Sequence, residues 1–175
     1  MAVDAKLEVD DSALFRTAKL IPKNHDRNES HLEKLGRDIG VSYVELDGDI
    51  GIISSGAGLG MATMDIIKYA GGMPANFLDV GGTANAETVE AGFRIILKDP
   101  NVGGLLIVGL FGGYGIRFAE SLALMEEDGA HRMGKLVKRR NKPVVLHSLY
   151  NHEKPHALDL LRYYNIPVYD SLDVS

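Results

Sequence analysis

The stretch GIISSGAGLGMATMDIIKYAGGMPANFLDVGG, residues 51–82, decides the fold of this chain. Two short runs, 50–53 and 75–80, are mainly apolar and predict strands at 50–54 and 75–80, and between them apolar residues recur at helical spacing over about 58–70. Short apolar runs bounded by glycine are typical of strands buried in a parallel sheet. The stretch therefore predicts a β-α-β unit with a glycine-rich turn at the carboxyl end of each strand. Ligands bind at that edge of an open parallel sheet.

The rest of the chain continues the alternation of strands and helices. Further strands are predicted at 104–109, 143–147 and 166–169, and further helices at about 85–98, 116–140 and 154–164. The longest helix is expected to break near Gly129 or Gly134. This pattern predicts the α/β class, with a flavodoxin-like three-layer αβα fold. Its doubly wound, mainly parallel five-stranded sheet would have the order 2-1-3-4-5.

The segment before this pattern is harder to place. Residues 22–38 are polar and indicate a surface excursion with a short helix around 29–36. Residues 43–46 form a strand candidate. A hairpin with 50–53 would compete with parallel pairing on the central strand, and the sequence does not decide where 43–46 pairs.

The composition limits the classes of function. A chain of 175 residues is long enough for one domain with a real core. Its formal charge of -5 argues against a nucleic-acid binder, and the lack of cysteine excludes disulfide and thiol chemistry. No apolar run approaches the ~20 residues of a membrane span. We therefore expect a cytoplasmic protein without membrane or nucleic-acid partners.

The first glycine-rich turn, Gly56-x-Gly58-x-Gly60, allows three interpretations. It resembles a dinucleotide-binding turn, with Asp79 about 20 residues further on as the acid that would hold a ribose, although Met61 stands where the third glycine is expected. It also fits a tight turn that brings the helix close to the sheet. The third interpretation is an anion site without a nucleotide, because free N–H groups at the start of a helix bind carboxylate or phosphate.

A second turn of this kind, Phe111-Gly112-Gly113-Tyr114-Gly115-Ile116-Arg117, follows the third strand. Its glycines would let backbone N–H groups converge. Arg117 would lie in the first turn of a helix, where positive charge is locally unfavourable by roughly 0.3–1 kcal/mol. The arginine therefore indicates either an anionic partner or a side chain turned to solvent. The two turns would flank the crevice where the strand order reverses.

The histidines offer weaker candidates. His152 and His156 have the i, i+4 spacing of metal ligands, with Asp159 as the nearest third ligand, but a solvated polar helix end is the commoner outcome. His147 ends the fourth predicted strand, near the functional edge. It fits either a catalytic residue or, more commonly, a hydrogen-bonded, partly buried histidine.

The two glycine-rich turns and the segment between them resemble the β subunit of succinyl-CoA synthetase, in the C-terminal CoA-ligase domain of that family. The resemblance covers about residues 2–125. It rests on four motifs in this order: GAGL at 56–59, TMD at 63–65, PANFLDVGG at 74–82 and FGG at 111–113. The tail, with KPVVLHSLY and IPVYDSLD, is more similar to NDP-forming acyl-CoA synthetases. The resemblance implies that 1–40 is the remnant of an ATP-grasp domain with a linker, and that 41–175 is the CoA-ligase domain.

The resemblance also implies an activity that this chain shares with other parts. In the family, the ATP-grasp domain holds Mg-nucleotide, ATP or GTP. An alpha-type partner subunit binds CoA and carries a phosphohistidine. The carboxylic acid or phosphate, and the phosphohistidine, would be bound at Ser55, Gly56, Gly113, Tyr114, Gly115, Ile116 and Arg117. Asp4 matches an aspartate of the family's magnesium site. No catalytic residue falls in this chain, and no cofactor is expected on the chain alone.

Two departures concern the substrate. Ser55 stands where the family usually has asparagine, and the segment from Tyr114 to Arg117 is one residue longer than usual, so a carboxylic acid other than the succinate of the tricarboxylic acid cycle is possible. Two alternatives to a ligase part stay open. One is a non-catalytic interaction module that docks on a CoA-binding chain, and the other is a small NAD-binding enzyme.

Overall fold

The computed structural model of the chain describes residues 16, 29–81, 85–111, 120–140 and 142–172. Six strands form one sheet: β1 Ser42–Glu45, β2 Ile50–Ser54, β3 Asn76–Asp79, β4 Gly104–Val108, β5 Val144–His147 and β6 Val168–Tyr169. The helices are α1 His31–Asp38, α2 Ala57–Tyr69, α3 Ala86–Lys98, α4 Glu120–Arg140 and α5 His156–Tyr163, with a short 3-10 helix at Asn151–Glu153. The predicted α/β class and the alternation of strands and helices are confirmed.

The sheet has the order β1-β3-β2-β4-β5-β6. Counted from β2, its five parallel strands follow the predicted order 2-1-3-4-5. The sixth strand corrects the predicted count of five. β1 pairs antiparallel with β3, from Ser42 opposite Asp79 to Glu45 opposite Asn76. A hairpin between β1 and β2 does not form, because β3 and β4 occupy both edges of β2. β1 pairs instead with the outer edge of β3.

A side chain completes the central pair of strands. Asn76 is fully buried in β3, and its Oδ1 accepts the Ile52 N–H at 3.0 Å while its Nδ2 donates to the Ile52 carbonyl at 2.8 Å. Backbone bonds lie on either side of this contact, from Ala75 N–H to the Ile50 carbonyl and from Val80 N–H to the Ser54 carbonyl. One amide group thus takes the place of backbone partners in the middle of the β2–β3 pair.

The apolar side chains divide between the two faces of the sheet. The buried apolar residues form two clusters. Alternate residues of β2 and β4, such as Ile53 and Ile107, belong to the larger cluster, which also contains side chains of α3, α4 and α5. Ile52 and Val108 belong to a smaller cluster on the opposite face, with Ile67 of α2. Beside α2, an apolar groove of about 540 Å³ runs along the starts of β2, β4 and β5. This groove lies at the opposite end of the strands from the glycine-rich turns.

The predicted break in the longest helix is wrong. α4 is continuous from Glu120 to Arg140 and passes through Gly129 and Gly134. A Cβ atom at Gly134 would overlap the ring of Tyr164, so this glycine permits close contact with the segment that follows α5. At Gly134, the missing side chain serves packing between elements rather than a break in the helix.

The first helix begins two residues later than predicted. The Ser30 side chain caps α1 by accepting the N–H of Glu33, and the Glu33 carboxylate accepts the N–H of Ser30 at 2.8 Å, which forms a capping box. Leu32 and Leu35 of α1 pack against the larger core cluster. The domain boundary at residue 41 remains a prediction. In the described part of the chain, no helix is long and apolar enough to cross a membrane.

Candidate functional site

The carboxyl ends of β2 and β3 are tied together by one carboxylate. Ser54 and Asp79 lie side by side in the parallel register of these strands. Oδ1 of Asp79 accepts the N–H of Gly56, in the turn after β2, at 2.8 Å. The same oxygen accepts the N–H of Gly81, in the turn after β3, also at 2.8 Å. Asp79 therefore holds two glycine-containing turns against each other at the edge where parallel sheets bind ligands.

The three glycines of the first turn have different roles. Gly56 has a φ of 105°, which side chains with a Cβ rarely adopt. Gly58 faces open space, since a Cβ there would meet no atom within 4 Å. A Cβ at Gly60 would lie 2.6 Å from Ser54 Oγ and 3.0 Å from Phe77 Cε2. Close packing of the helix on the sheet, one of the three interpretations of this turn, thus explains Gly60.

The helix α2 starts without a side-chain cap. Its first backbone bond within the helix runs from the Gly60 N–H to the Gly56 carbonyl at 3.1 Å, so the N–H groups of Ala57, Gly58 and Leu59 have no partner within the helix. The first turn of α2 carries no acidic side chain, and Ala57 and Gly58 are exposed. These donors and the positive end of the helix dipole can bind a carboxylate or phosphate.

The dinucleotide interpretation loses support at Asp79. That interpretation needs the carboxylate to receive ribose hydroxyls. Instead, its Oδ1 is engaged by two backbone donors. An aspartate that accepts the N–H two residues further on is a common turn feature, and the order Asp79-Val80-Gly81 is the signal for it that our sequence reasoning missed.

Two of the predicted site residues lie in this turn. Ser55 and Gly56 follow β2 directly, and the Ser55 hydroxyl donates to the Gly81 carbonyl at 3.4 Å. The N–H of Ser55 bonds to the carbonyl of Val108, the last residue of β4, at 3.3 Å. The end of β4 thus lies beside the first turn. The other predicted residues, Gly113, Tyr114, Gly115, Ile116, Arg117 and Asp4, lie outside the described residues.

The end of β4 is also tied to the end of β5. Ser148 is fully buried, and its hydroxyl donates to the Phe111 carbonyl at 2.7 Å. Its own N–H donates to the Tyr169 carbonyl at 2.8 Å. Ser148 therefore fixes the place where the chain leaves β4 towards the second glycine-rich segment. Sequence reasoning missed Ser148, because a lone serine after a strand carries no distinctive pattern.

His147 ends β5 and is 3% exposed. Its Nδ1 atom is buried without a hydrogen-bond partner. Burial lowers the pKa of His147 below its ordinary value of 6.5, while the hydrogen bond that the ring donates to the backbone of Asp170 and the charge of Asp170 act in the opposite direction. His147 is therefore more deeply buried than the partly buried histidine that the sequence predicts. It shows no reacting partner for His147 among the described residues.

The proposed metal pair does not come together. His156 contacts Glu127 of α4, with Nδ1 2.8 Å from Oε1, and His152 lies 3.5 Å from the neighbouring Glu153. Asp159 bonds to Arg162 instead. Within the described ranges, no three His, Asp or Glu side chains are grouped as a metal site. The commoner interpretation, a solvated helix start, fits these contacts.

We expect the stability of the fold to decrease as the pH falls below about 6.5, because of His147. The unfolded chain takes up a proton on this histidine near pH 6.5, whereas the folded chain takes it up only at lower pH. The unfolded state therefore binds more protons in this range, and stability falls with pH. Melting temperatures between about pH 7.5 and 5.5 test this. The decrease should be smaller in His147→Gln and unchanged in the control His152→Gln. Equal pH dependence in all three proteins would contradict the prediction.

Comparison with known proteins gives consistent findings. A family model described as CoA-ligase matches residues 53–147. The β subunit of succinate–CoA ligase [ADP-forming] from Flavobacterium johnsoniae is 51% identical over 138 residues, which are 79% of this chain and 34% of that protein. The corresponding subunit from Salinibacter ruber is 60% identical over 112 residues, 64% of this chain and 28% of its own length. The chain thus spans about a third of the relatives that it matches.

The fold also has relatives among solved structures. ATP citrate lyase from Methanothrix soehngenii, in complex with citrate and coenzyme A, superposes with a TM-score of 0.63. The match covers 91% of this chain and 44% of that chain at 20% identity. A protein from Pyrococcus horikoshii superposes with a TM-score of 0.57 over 74% of this chain and 34% of its own, again at 20% identity. At this identity, the likeness concerns the fold alone.

Proposed function

The chain belongs to the CoA-ligase family, and we propose that it is the part of an NDP-forming acid–CoA ligase β subunit that holds the carboxylate or phosphate. The observation that carries this proposal is the start of α2. Three N–H groups without helical partners, at Ala57, Gly58 and Leu59, emerge from a turn that is held rigidly by Asp79. The end of β4, which leads to the second glycine-rich segment, lies beside that turn.

The proposed reaction converts acyl-CoA, phosphate and NDP into the acid, CoA and NTP. In it an acyl phosphate passes its phosphoryl group to a histidine, which passes it on to the nucleotide. The histidine belongs to the alpha-type partner subunit, and CoA is bound there. The share of this chain is electrostatic, because fixed backbone donors stabilise anions without reorganising during the reaction.

The second glycine-rich segment would complete the site. Gly113, Tyr114, Gly115 and Ile116 would supply backbone donors, and Arg117 a full positive charge, to the phosphohistidine of the partner. This role rests on the resemblance and on the place of the segment after β4. Because Ser148 holds the carbonyl of Phe111, the segment starts from a fixed point.

Mg-nucleotide is assigned to the ATP-grasp domain. In the described part of the chain, no group of carboxylates and imidazoles could hold magnesium, so these residues do not fit a metal site of their own. By the resemblance, Asp4 would contribute to such a site in a complete ATP-grasp domain. We assign the complex to the cytoplasm and to the tricarboxylic acid cycle when succinate is its acid.

Reconstitution tests the proposal. We expect no acyl-CoA formation by this chain alone, and activity when it is combined with an ATP-grasp chain and an alpha-type CoA-binding subunit. Gly113→Val should abolish that activity, since a branched side chain would fill the space of the bound anion and disfavour the backbone conformation. Gly103→Val is the control, because a Cβ there has only one neighbour, at 3.8 Å.

The results of the reconstitution also distinguish the ligase part from the two alternatives, a non-catalytic interaction module and a small NAD-binding enzyme. Binding to the alpha-type subunit without any contribution to turnover would identify a non-catalytic interaction module. Tight NAD binding by the isolated chain would identify the small dehydrogenase-like enzyme. Turnover by the isolated chain would contradict the division of labour proposed here.

A further inference from the structure

We infer that a groove at the amino-terminal edge of the sheet binds the adenosine diphosphate group of a nucleotide or of coenzyme A. This basic groove has a volume of about 640 Å³ and lies between the end of α4, the start of β5 and the end of α5. A volume of this size fits a ligand as large as a nucleotide. The glycine-rich turns lie at the opposite end of the strands, so the inference does not depend on the proposed function. The lining of the groove includes Val137, Lys138, Lys142, Pro143, Tyr163 and Asn165.

The basic groove collects positive charge in a chain whose formal net charge is -5. Five of the eight residues 135–142 are Lys or Arg, and Lys138 and Lys142 line the groove. Lys138, Arg139 and Arg140 are exposed, and none of them forms an ion pair with another described residue. The described residues that line the groove include no carboxylate. A phosphate bound there therefore meets positive charge that no acid of the lining neutralises.

The end of the helix does not by itself account for this charge. The helix dipole favours cations, but only within the last turn, and like charges on neighbouring turns repel one another. Lys142 lies beyond α4, where its Nζ donates to the carbonyl of Asp99 at 3.2 Å. This bond positions the ammonium group, which keeps two further N–H donors for a phosphate. Asp99 itself is buried and is not part of the lining.

The other side of the basic groove suits a nucleobase. Tyr163 is 80% exposed, although its ring packs edge-on against Tyr164 at a centroid distance of 5.4 Å. The contact with Tyr164 limits the movement of the ring, while most of its surface stays free. Bases stack on exposed aromatic rings of this kind. Val137 and Pro143 add apolar surface to the same groove.

Asn165 supplies the polar group that selects adenine. It ends α5 in the left-handed region with a φ of 62°, and its N–H donates to the carbonyl of Arg162 at 2.9 Å. Its side chain is exposed and makes no hydrogen bond with another described residue. An asparagine amide offers one donor and one acceptor side by side, which match N7 and the N6 amino group of adenine. Phosphate donors and an adenine-binding group thus share one groove.

An NMR titration of the folded chain with ADP, and separately with CoA, tests the inference. We expect the amide signals of Tyr163 and Asn165 to shift and those of 56–60 to stay unchanged, which distinguishes this groove from the first glycine-rich turn. Lys138→Glu should weaken ADP binding by about tenfold or more, because it replaces attraction by repulsion. Lys68→Glu is the matched control, since Lys68 is an exposed lysine in the last turn of α2, and it should bind as the wild type does.

A second variant separates the base from the phosphates. In Asn165→Gly only the side-chain amide is lost, because glycine adopts a positive φ freely. We expect this variant to bind ADP more weakly by about threefold or more and to bind pyrophosphate as the wild type does. Pyrophosphate and adenosine each carry one part of the ligand, so each should bind the wild type at least about tenfold more weakly than ADP.

The outcomes decide for or against the basic groove. Binding of ADP or CoA with shifts at Tyr163 and Asn165 supports the inference, and the tighter ligand identifies the source of the group. The absence of these shifts with both ligands overturns it. Equal affinities in Lys138→Glu and Lys68→Glu also overturn it, and so does pyrophosphate binding as tight as that of ADP, which would indicate a general anion surface. None of these results changes the proposed function, which is tested by reconstitution.

Discussion

Replacing Asn76 by leucine is expected to lower the free energy of unfolding by about 2–6 kcal/mol. The side-chain amide of Asn76 supplies both the acceptor for the Ile52 N–H and the donor for the Ile52 carbonyl. Leucine has a similar size but neither group. The substitution therefore leaves two buried backbone groups unpaired in the centre of the sheet, and each costs about 1–3 kcal/mol.

The expected loss is large for a domain of this kind. Folded domains are stable by only about 5–15 kcal/mol, so the loss expected for the Asn76→Leu chain is a large share of that stability. Chemical denaturation of the wild type and the variant measures the difference. Asn101→Leu is the control, since Asn101 is exposed in the turn before β4 and its substitution should change stability by less than about 0.5 kcal/mol.

A second variant identifies the cause of the loss. Asn76→Asp retains the acceptor for the Ile52 N–H but replaces the donor by a second oxygen, which would face the Ile52 carbonyl. We therefore expect a loss at neutral pH that becomes smaller in mild acid, where the protonated carboxyl can donate. If Asn76→Leu is as stable as the wild type, backbone groups of β2 and β3 must be able to pair directly, and the bridging role of Asn76 would be wrong.

The order of the parallel strands could be predicted from the sequence, because it follows from local patterns and general rules of connection. Apolar runs such as 50–54 and 104–109 mark buried strands, and right-handed crossovers limit their arrangement. The place of β1 could not be predicted, because its four residues carry no pattern that selects an edge. The choice depends on which edges the parallel strands leave free. That information belongs to the assembled sheet.

The bridging asparagine shows another limit of local patterns. Asparagine is disfavoured in strands, so Asn76 within the run 75–80 looks like a weak point of the strand. In the structure it makes two of the bonds that hold β2 to β3. Asp79 is a second example, because its spacing from the glycine turn allows a ribose-binding role as one of the three interpretations of that turn. Its partners are two backbone N–H groups, of which the local order Asp79-Val80-Gly81 signals only the one at Gly81.

The second large effect concerns two glycines of α4. Replacing glycine by alanine should raise the stability of the domain at one of these positions and lower it at the other. Gly129→Ala is expected to stabilise the domain by about 0.5–1 kcal/mol, because alanine favours the helix more than glycine does. A Cβ at Gly129 would make ordinary contacts, with Phe111 Cε1 at 3.5 Å and Ala86 Cβ at 3.6 Å. Gly134→Ala is expected to destabilise it by about 1–3 kcal/mol, since the new methyl group would overlap the ring of Tyr164.

The ring of Tyr164 cannot move away freely. Its hydroxyl lies 3.1 Å from His131 Nδ1, and the rings of His131 and Tyr163 pack against it edge-on at centroid distances of 5.9 and 5.4 Å. A methyl group at position 134 must therefore separate α4 from the end of α5 or break these contacts. Thermal unfolding of the two alanine variants measures both effects.

A double-mutant cycle decides whether Tyr164 causes the loss. In a Tyr164→Ser chain, which has no ring at this position, Gly134→Ala should no longer destabilise and should approach the gain expected at Gly129. If Gly134→Ala is equally harmful with and without the ring, the close contact is not the reason for the glycine. If both alanine variants are destabilised, the overlap with Tyr164 does not account for the loss at both positions, and the explanation by the neighbouring element would be wrong. Opposite signs at Gly129 and Gly134 would show that a glycine within a helix can reflect a neighbouring element rather than the helix itself.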